Sequence, residues 1–359
     1  MFFLLLQVIM TEDERWMNRA IQLARNGIYG APPNPMVGAV IVCNGEIIGE
    51  GWHRKCGEGH AEVNAFASVR RADLLSKAKM YVTLEPCAHY GRTPPCAKLI
   101  IEKGIKEVCV GMVDPFTKVD GAGIRMMREA GIKVTVGIMQ QECRKLISHF
   151  LVPQLCDRPF ITLKWAQSKD GFIDAVRNGG TPVRLSTPRS LLRVHALRLQ
   201  HQAIMIGTRT ALLDNPRLTA RLIDGPQPMR IVLDRHGNLP GSLHIFDDSA
   251  PTMVVGESDN LERAREKQYR FFKADFSKPI LPAILSALKQ TNIQALLVEG
   301  GATLLQHFLD GELWNEIHVE EAKLYLGTGV KAPQIAPSYM PSVEYALGST
   351  FKHYMHPLF

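Results

Sequence analysis

The sequence predicts an α/β protein of two domains. Runs of strand and helix character alternate along it, the pattern of sheets covered by helices. Its 359 residues are enough for two domains of ordinary size. A Pro-containing stretch, residues 152–159, separates an N-terminal series (residues 10–151) from a C-terminal one (residues 158–359).

Composition narrows the class. Hydrophobic residues make up 46% and charged residues 21%, which describes a soluble globular protein. The formal charge of +7 suits an anionic ligand; its Lys and Arg are scattered and form no basic run for nucleic acid, and a phosphorylated small molecule explains them equally well. The seven cysteines are odd in number and lack the spacing of a disulfide framework, which points to a reducing cytoplasm. Residues 1–9 are apolar, but they carry no Lys or Arg and are far short of the ~20 residues that span a bilayer. They read as a non-native extension upstream of Met10, because Thr11-Glu12-Asp13-Glu14 is already a helix cap with acids in its first turn. No membrane partner is expected.

In order, the first series opens with a helix over residues 11–26, with Trp16, Ala20, Leu23 and Ala24 on one face and Gly27 as its stop. Residues 39–43 and 46–51 form a hairpin on the Asn44-Gly45 turn. A helix is expected over residues 62–71, a strand over 80–84 and a helix over 97–103, started by Pro94-Pro95 and ended by Gly104. A buried strand (residues 107–112), a helix (124–130) and a strand (133–136) complete an α/β sandwich around a mixed sheet.

The chemistry is concentrated between residues 60 and 96. His60-Ala61-Glu62 is followed by Glu85-Pro86-Cys87 and, after eight residues, by Cys96. One imidazole and two thiolates are three zinc ligands, which leaves a tetrahedral ion one open position. This is the zinc-deaminase pattern of His-x-Glu followed by Pro-Cys and a second Cys. Residues two apart in mid-helix differ by about 200° of rotation, so His60 and Glu62 converge only if they occupy a helix N-terminus. Cys96 likewise opens a helix, a position that favours its thiolate. Glu62 is not needed as a ligand and is free to move protons. The alternative is a closed structural site with His89 or Cys56 as fourth ligand, in which Glu62 would have no task.

The run from Thr83 to Cys96, including Glu85-Pro86-Cys87-Ala88-His89 and Gly91-Arg92-Thr93-Pro94-Pro95-Cys96, resembles the deaminase half of the bifunctional riboflavin-biosynthesis deaminase/reductase family. Asn34-Pro35-Met36-Val37-Gly38 fits the same family, and the resemblance covers residues 11–326. It implies a cytidine-deaminase-like three-layer sandwich followed by a dihydrofolate-reductase-like domain. It also implies one zinc ion, NADPH, a phosphorylated pyrimidine substrate and a homo-oligomer. Asn34 and His89 would lie near the deaminase substrate, with Arg92 and Thr93 in the loop covering it.

In the second series, the alternating strand from Phe160 resembles the opening of the reductase half and carries Lys164 and Ala166. A helix over residues 188–199 presents Leu191, Leu192, His195 and Leu199 on one face and Arg198 near its end. The run 208–221 matches the family's cofactor and substrate stretch. By that match Ala166, Thr210 and Asp214 contact the cofactor, while Lys164, Arg198, Leu218 and Arg221 contact the substrate, the arginines as forks for a phosphate. In Val298-Glu299-Gly300-Gly301-Ala302-Thr303 an apolar strand enters a helix through two glycines. There backbone N–H groups can approach a phosphate; the resemblance implies that Gly301, Ala302 and Thr303 form the family's cofactor diphosphate loop and that Glu299 lies at the substrate.

Two positions depart from the family pattern. Pro182-Val183-Arg184 stands where many members have Ser-x-Trp, so Arg184 either replaces the lost substrate contact or faces solvent. Arg235 stands where a small residue is usual and could pair with the 2′-phosphate of NADPH. The resemblance therefore implies deamination of 2,5-diamino-6-ribosylamino-4(3H)-pyrimidinone 5′-phosphate, then reduction of its ribosyl group to ribityl. The alternatives are a nucleoside or nucleic-acid deaminase, disfavoured by the cysteine spacing and the second domain, and a deaminase whose second domain only binds or regulates.

Overall fold

The computed structural model describes residues 10–89, 94–115, 121–177, 179–257 and 269–357. Residues 1–9 and the covering-loop positions Arg92 and Thr93 lie outside them. The chain divides into two compact units, residues 1–154 and 155–359.

The first unit starts with helix α1 (Glu12–Ala24), whose Thr11 and Glu14 form the expected capping box. Strands β1 (Gly38–Cys43) and β2 (Glu46–Trp52) make the hairpin, with Asn44 and Gly45 both at positive φ. Helix α2 (Ala61–Ala67), strand β3 (Lys79–Val82), helix α3 (Cys96–Glu102), strand β4 (Glu107–Val110), helix α4 (Ala122–Glu129) and strand β5 (Lys133–Val136) follow. Then come helices α5 (Gln140–Leu146) and α6 (Ser148–Leu155). The sheet order is β2-β1-β3-β4-β5, with the hairpin antiparallel and β3, β4 and β5 parallel.

Strand alternation sorts the core into two layers. Ala39 and Ile41 of β1 pack with Ala61 and Ala65 of α2, Ala97 and Ile100 of α3, and Ile124 and Met127 of α4. Val40 and Val42 pack on the other face with Trp16, Met17 and Ala20 of α1 and Cys143 of α5. The unit is the expected three-layer sandwich.

Two expectations need correction. Helix α2 stops at Ala67 rather than at residue 71. Ser68 turns its hydroxyl back onto the Ala65 carbonyl and accepts the Glu50 N–H, and both bonds end the helix locally. The stretch read as a linker begins inside α6, which holds Pro153 near its C-terminal end, where the missing N–H leaves most of the helix's bonds intact.

The second unit contains strands β6 (Phe160–Gln167) and β7 (Phe172–Asp174), helix α7 (Ser190–Leu199), strand β8 (Ala203–Ile206), helix α8 (Thr208–Asp214) and strands β9 (Met229–Leu233), β10 (Thr252–Gly256) and β11 (Arg270–Lys273). Helix α9 (Ile280–Gln290), strand β12 (Ala295–Glu299), helix α10 (Ala302–Asp310) and strand β13 (Glu316–Glu321) follow. The last thirty residues, where the sequence shows no motif, form β14 (Val330–Lys331), which pairs with β7, and the hairpin β15 (Ser342–Ala346) and β16 (Ser349–Met355). The nine-stranded sheet runs β11-β10-β9-β8-β12-β6-β13-β16-β15, parallel from β11 to β13 and antiparallel beyond. Helix α7 buries Val194, His195 and Leu199, whereas Leu192, expected on the buried face, is exposed.

Candidate functional site

The zinc-ligand candidates converge in the first unit. His60 is the N-cap of α2, in extended conformation, so its ring leaves the helix end while Glu62 occupies the first turn. Gly51 lets this helix sit directly on β2, because a Cβ there would lie 2.4 Å from the Ala65 nitrogen. Pro95 caps α3 and makes Cys96 its first residue. His60 Nδ1 lies 3.7 Å from Cys87 Sγ and 3.4 Å from Cys96 Sγ. A tetrahedral zinc with ordinary N and S bond lengths puts such donors about 3.6 Å apart. All three donors lie within 4.8 Å of one another, and neither His89 nor Cys56 belongs to the group.

The two sulfurs need a cation between them. A hydrogen bond from the Cys96 thiol, with help from His60 and the Cys96 N–H, holds Cys87 down at about 4. The same pairing, with burial, pushes Cys96 up. Two adjacent thiolates repel, so one keeps its proton unless a divalent ion replaces it. That donor set fits zinc.

Glu62 is buried, and burial pushes its carboxyl up to about 6. Glu62, His60, Cys87, Asn34 and His89 all line one cavity of about 310 Å3. The sequence reading missed two supports of this cavity. His53 is buried, and burial holds it below the usual histidine range. Its Nδ1 donates to the Gly59 carbonyl at 3.1 Å, so its Nε2 accepts from Asn34 Nδ2 at 3.2 Å and fixes which way that amide points. In sequence, His53 is one residue of a loop after a strand. Glu85 accepts backbone N–H groups of Asp114, Gly121, Gly123 and Ile124, which ties the Pro86-Cys87 segment to the start of α4.

In the second unit, β8 and β12 are parallel neighbours, and the helices that follow them, α8 and α10, start side by side. Gly300 and Gly301 take φ of +96° and +68°, and a Cβ on Gly300 would meet Thr210 Cγ2 at 2.9 Å. Thr210, Gly301, Ala302 and Thr303 are thus gathered beyond the carboxyl end of the parallel strands, where open α/β sheets bind ligands. Ala166 lies near the same end of β6, two residues past the Lys164–Glu299 pair in register.

Arg198 and Glu299, each expected at the substrate, are bonded to each other. Arg198 Nε and Nη2 meet the two Glu299 oxygens at 2.9 and 2.7 Å, and Nη1 meets the Thr219 carbonyl at 3.0 Å. Burial alone would raise the Glu299 carboxyl, but Arg198 and Lys164 hold it below its usual range. Burial lowers Lys164 against the pull of Glu299. Burial, with the charges of Arg198 and the exposed Arg221, presses His195 down to about 4. Leu218 is buried at φ +55°.

Asp214 is held by Arg177, which also bonds Asp174 at 2.6 Å and the Leu213 carbonyl at 3.1 Å. Arg177 carried no signal in the sequence, because Leu213 and Asp214 lie far along the chain. Arg235 pairs with Glu257 at 2.9 Å and lies over the Phe276 ring, half exposed. Arg184 is exposed.

Residues 10–112 match the family model described as cytidine and deoxycytidylate deaminase zinc-binding region, and residues 159–342 match the RibD C-terminal domain. The chain is 38% identical over 330 residues to riboflavin biosynthesis protein RibD of Bacillus amyloliquefaciens, covering 90% of this chain and 87% of that protein. The Aquifex aeolicus protein of the same name is 38% identical, with 89% of each chain covered. A crystal structure of the diaminohydroxyphosphoribosylaminopyrimidine deaminase/5-amino-6-(5-phosphoribosylamino)uracil reductase of Thermotoga maritima superposes with a TM-score of 0.87 at 35% identity, covering 96% of this chain and 98% of that one. Acinetobacter baumannii RibD superposes with a TM-score of 0.84 at 33% identity over the same shares. With such likeness along nearly its whole length, the chain belongs to the RibD family of riboflavin biosynthesis proteins.

Proposed function

We propose that the cavity beside His60, Cys87 and Cys96 is the deaminase centre and that the crevice between β8 and β12 is the reductase centre. The chain is a bifunctional enzyme of riboflavin biosynthesis. Its first unit deaminates the diaminopyrimidinone ribosylamine phosphate with zinc, and its second reduces the ribosyl group to ribityl with NADPH. The observation that carries this reading is the set of three donors at zinc spacing beside a buried carboxylate.

His60, Cys87 and Cys96 would hold the zinc, which would supply Lewis acidity and lower the pKa of a bound water. Glu62 takes a proton from the attacking water and gives one to the departing amine through the same carboxylate. Asn34, oriented by His53, and His89 bind the pyrimidine.

In the second unit Gly301, Ala302 and Thr303 cradle the cofactor diphosphate at the start of α10, with Thr210, Ala166 and Asp214 beside it. Lys164, Arg184, Arg198, Leu218, Arg221 and Glu299 form the substrate side, with the cations toward the phosphate. NADPH supplies the hydride, and the protein's part is alignment of donor and acceptor. Arg235 reads the 2′-phosphate in exchange for its bond to Glu257. Arg235→Ala should therefore lower the preference for NADPH over NADH, and an unchanged ratio of the two kcat/KM values would remove this role.

All seven cysteines are free, and among the described residues no helix is long and apolar enough to cross a membrane. The free thiols support a reducing, cytoplasmic place. The bifunctional reading is tested by assaying the two products separately. Ammonia should be released without NADPH, and NADPH oxidation should follow only once the deaminated intermediate is present. Removing zinc with a chelator should abolish the first activity and spare the second, given that intermediate. Ammonia release at the untreated rate from zinc-free protein would overturn the deaminase assignment.

A further inference from the structure

Strands β13 and β16 pair antiparallel, with His318 directly opposite His353 and Glu316 two residues before His318 on the same face. His353 Nε2 lies 3.1 Å from Glu316 Oε2, and His318 Nε2 lies 3.2 Å from Glu316 Oε1. One donor atom from each side chain falls within 4.8 Å of the other two. A tetrahedral ion with bonds of about 2.1 Å puts neighbouring donors about 3.4 Å apart.

The two imidazoles differ in a way that a plain ion-pair cluster does not explain. His353 donates a hydrogen bond to the carboxylate. His318 Nε2 is enclosed at almost the same distance but has no hydrogen-bond partner among the described residues. Close approach without alignment means that the nitrogen points past the oxygen, as co-ligands do when both aim at a point between them. Thr162, opposite Glu316 on β6, donates its hydroxyl to Glu316 Oε1 at 2.9 Å. That is the outer hydrogen bond by which metal sites orient a carboxylate. Lys164, opposite His318 on β6, is drawn electrostatically to Glu299 and Glu320.

We propose that Glu316, His318 and His353 form a second metal site, for a divalent ion of the zinc class held by two imidazole nitrogens and one carboxylate oxygen. Such mixed nitrogen and oxygen donors suit zinc and its neighbours rather than calcium or magnesium. The histidine side chains are 37% and 35% exposed, so the site lies at the edge of the fold, with His318 Nε2 turned inward. Both also line a cavity of about 540 Å3, which leaves room for a water or an outside ligand on the ion. Binding replaces the His353–Glu316 hydrogen bond with bonds to the ion and ties the antiparallel end of the sheet to its parallel part. None of the three residues belongs to the deaminase or reductase machinery.

The test uses the full chain without a polyhistidine tag, stripped by a chelator and titrated with Zn2+ alone by calorimetry. Bound metal is counted after buffer exchange. Wild type should take up two equivalents. His318→Asn and His353→Asn should each take up one and still release ammonia at the wild-type rate, which also shows that the variants fold. Cys87→Ser should lose the other equivalent and keep this one. A wild type that binds a single equivalent, or histidine variants that retain two, would overturn the proposal. Neither result touches the deaminase assignment, which rests on the sulfur site.

Discussion

Glu62→Gln is expected to lower ammonia release by on the order of 100- to 10,000-fold, the usual worth of a positioned proton-transfer group. The substitution keeps the shape of the side chain and removes only its capacity to accept a proton. Glu62 sits 3% exposed in the first turn of α2, where burial raises its carboxyl to about 6. A carboxyl held in that range accepts a proton and releases it again at neutral pH. His60, Cys87 and Cys96 keep their spacing in the variant, so its zinc content should match wild type. NADPH oxidation of the deaminated intermediate should also be unaffected, because that step is assigned to the other unit. Ammonia release within tenfold of wild type would take the proton shuttle away from Glu62. Loss of zinc together with activity would instead make Glu62 a support of the metal.

The convergence of His60, Cys87 and Cys96 was legible in the sequence because these residues sit at local landmarks. Pro94-Pro95 marks the start of α3 and so delivers Cys96. His60 precedes a short helix whose first turn is the one place where a His-x-Glu pair can converge. The mixed sheet was legible for the same reason, since its strands are apolar runs bounded by turn residues. What the sequence hid depends on distant partners. His53 acts through Gly59 and Asn34, and its surroundings in the chain, Trp52 and Arg54, say nothing of burial. Arg177 joins its chain neighbours Asp174 and Gly180 to the distant Leu213 and Asp214, and no local pattern announces the distant half of that meeting. The C-terminal hairpin was invisible because β15 is largely exposed and lacks the apolar alternation that reveals a half-buried strand.

Arg198→Ala should lower the reductase kcat/KM by about 100-fold or more while ammonia release stays near wild type. The resemblance assigned Arg198 and Glu299 to the substrate independently, but the fold makes them one unit. Both side chains are 11% exposed, and they share a two-bond fork between α7 and the carboxyl end of β12. Removing the guanidinium leaves the Glu299 carboxylate buried, with Lys164 as its remaining cation. Breaking a buried pair from one side destabilises the fold by about 3–5 kcal/mol, and if about 2.7 kcal/mol of transition-state alignment is lost with it the rate falls about 100-fold. Glu299 leads directly into Gly300 and Gly301, so a carboxylate released from Arg198 disturbs the start of α10 as well as the substrate side. The loss should therefore appear in kcat and in the KM for both substrate and NADPH. Arg198→Lys separates charge from geometry, because a lysine keeps the charge but lacks the planar fork. If positioning of Glu299 is what matters, Arg198→Lys should recover less than a tenth of the lost activity. Full activity in Arg198→Lys would reduce the pair to simple charge balance, and full activity in Arg198→Ala would remove it from the reductase centre.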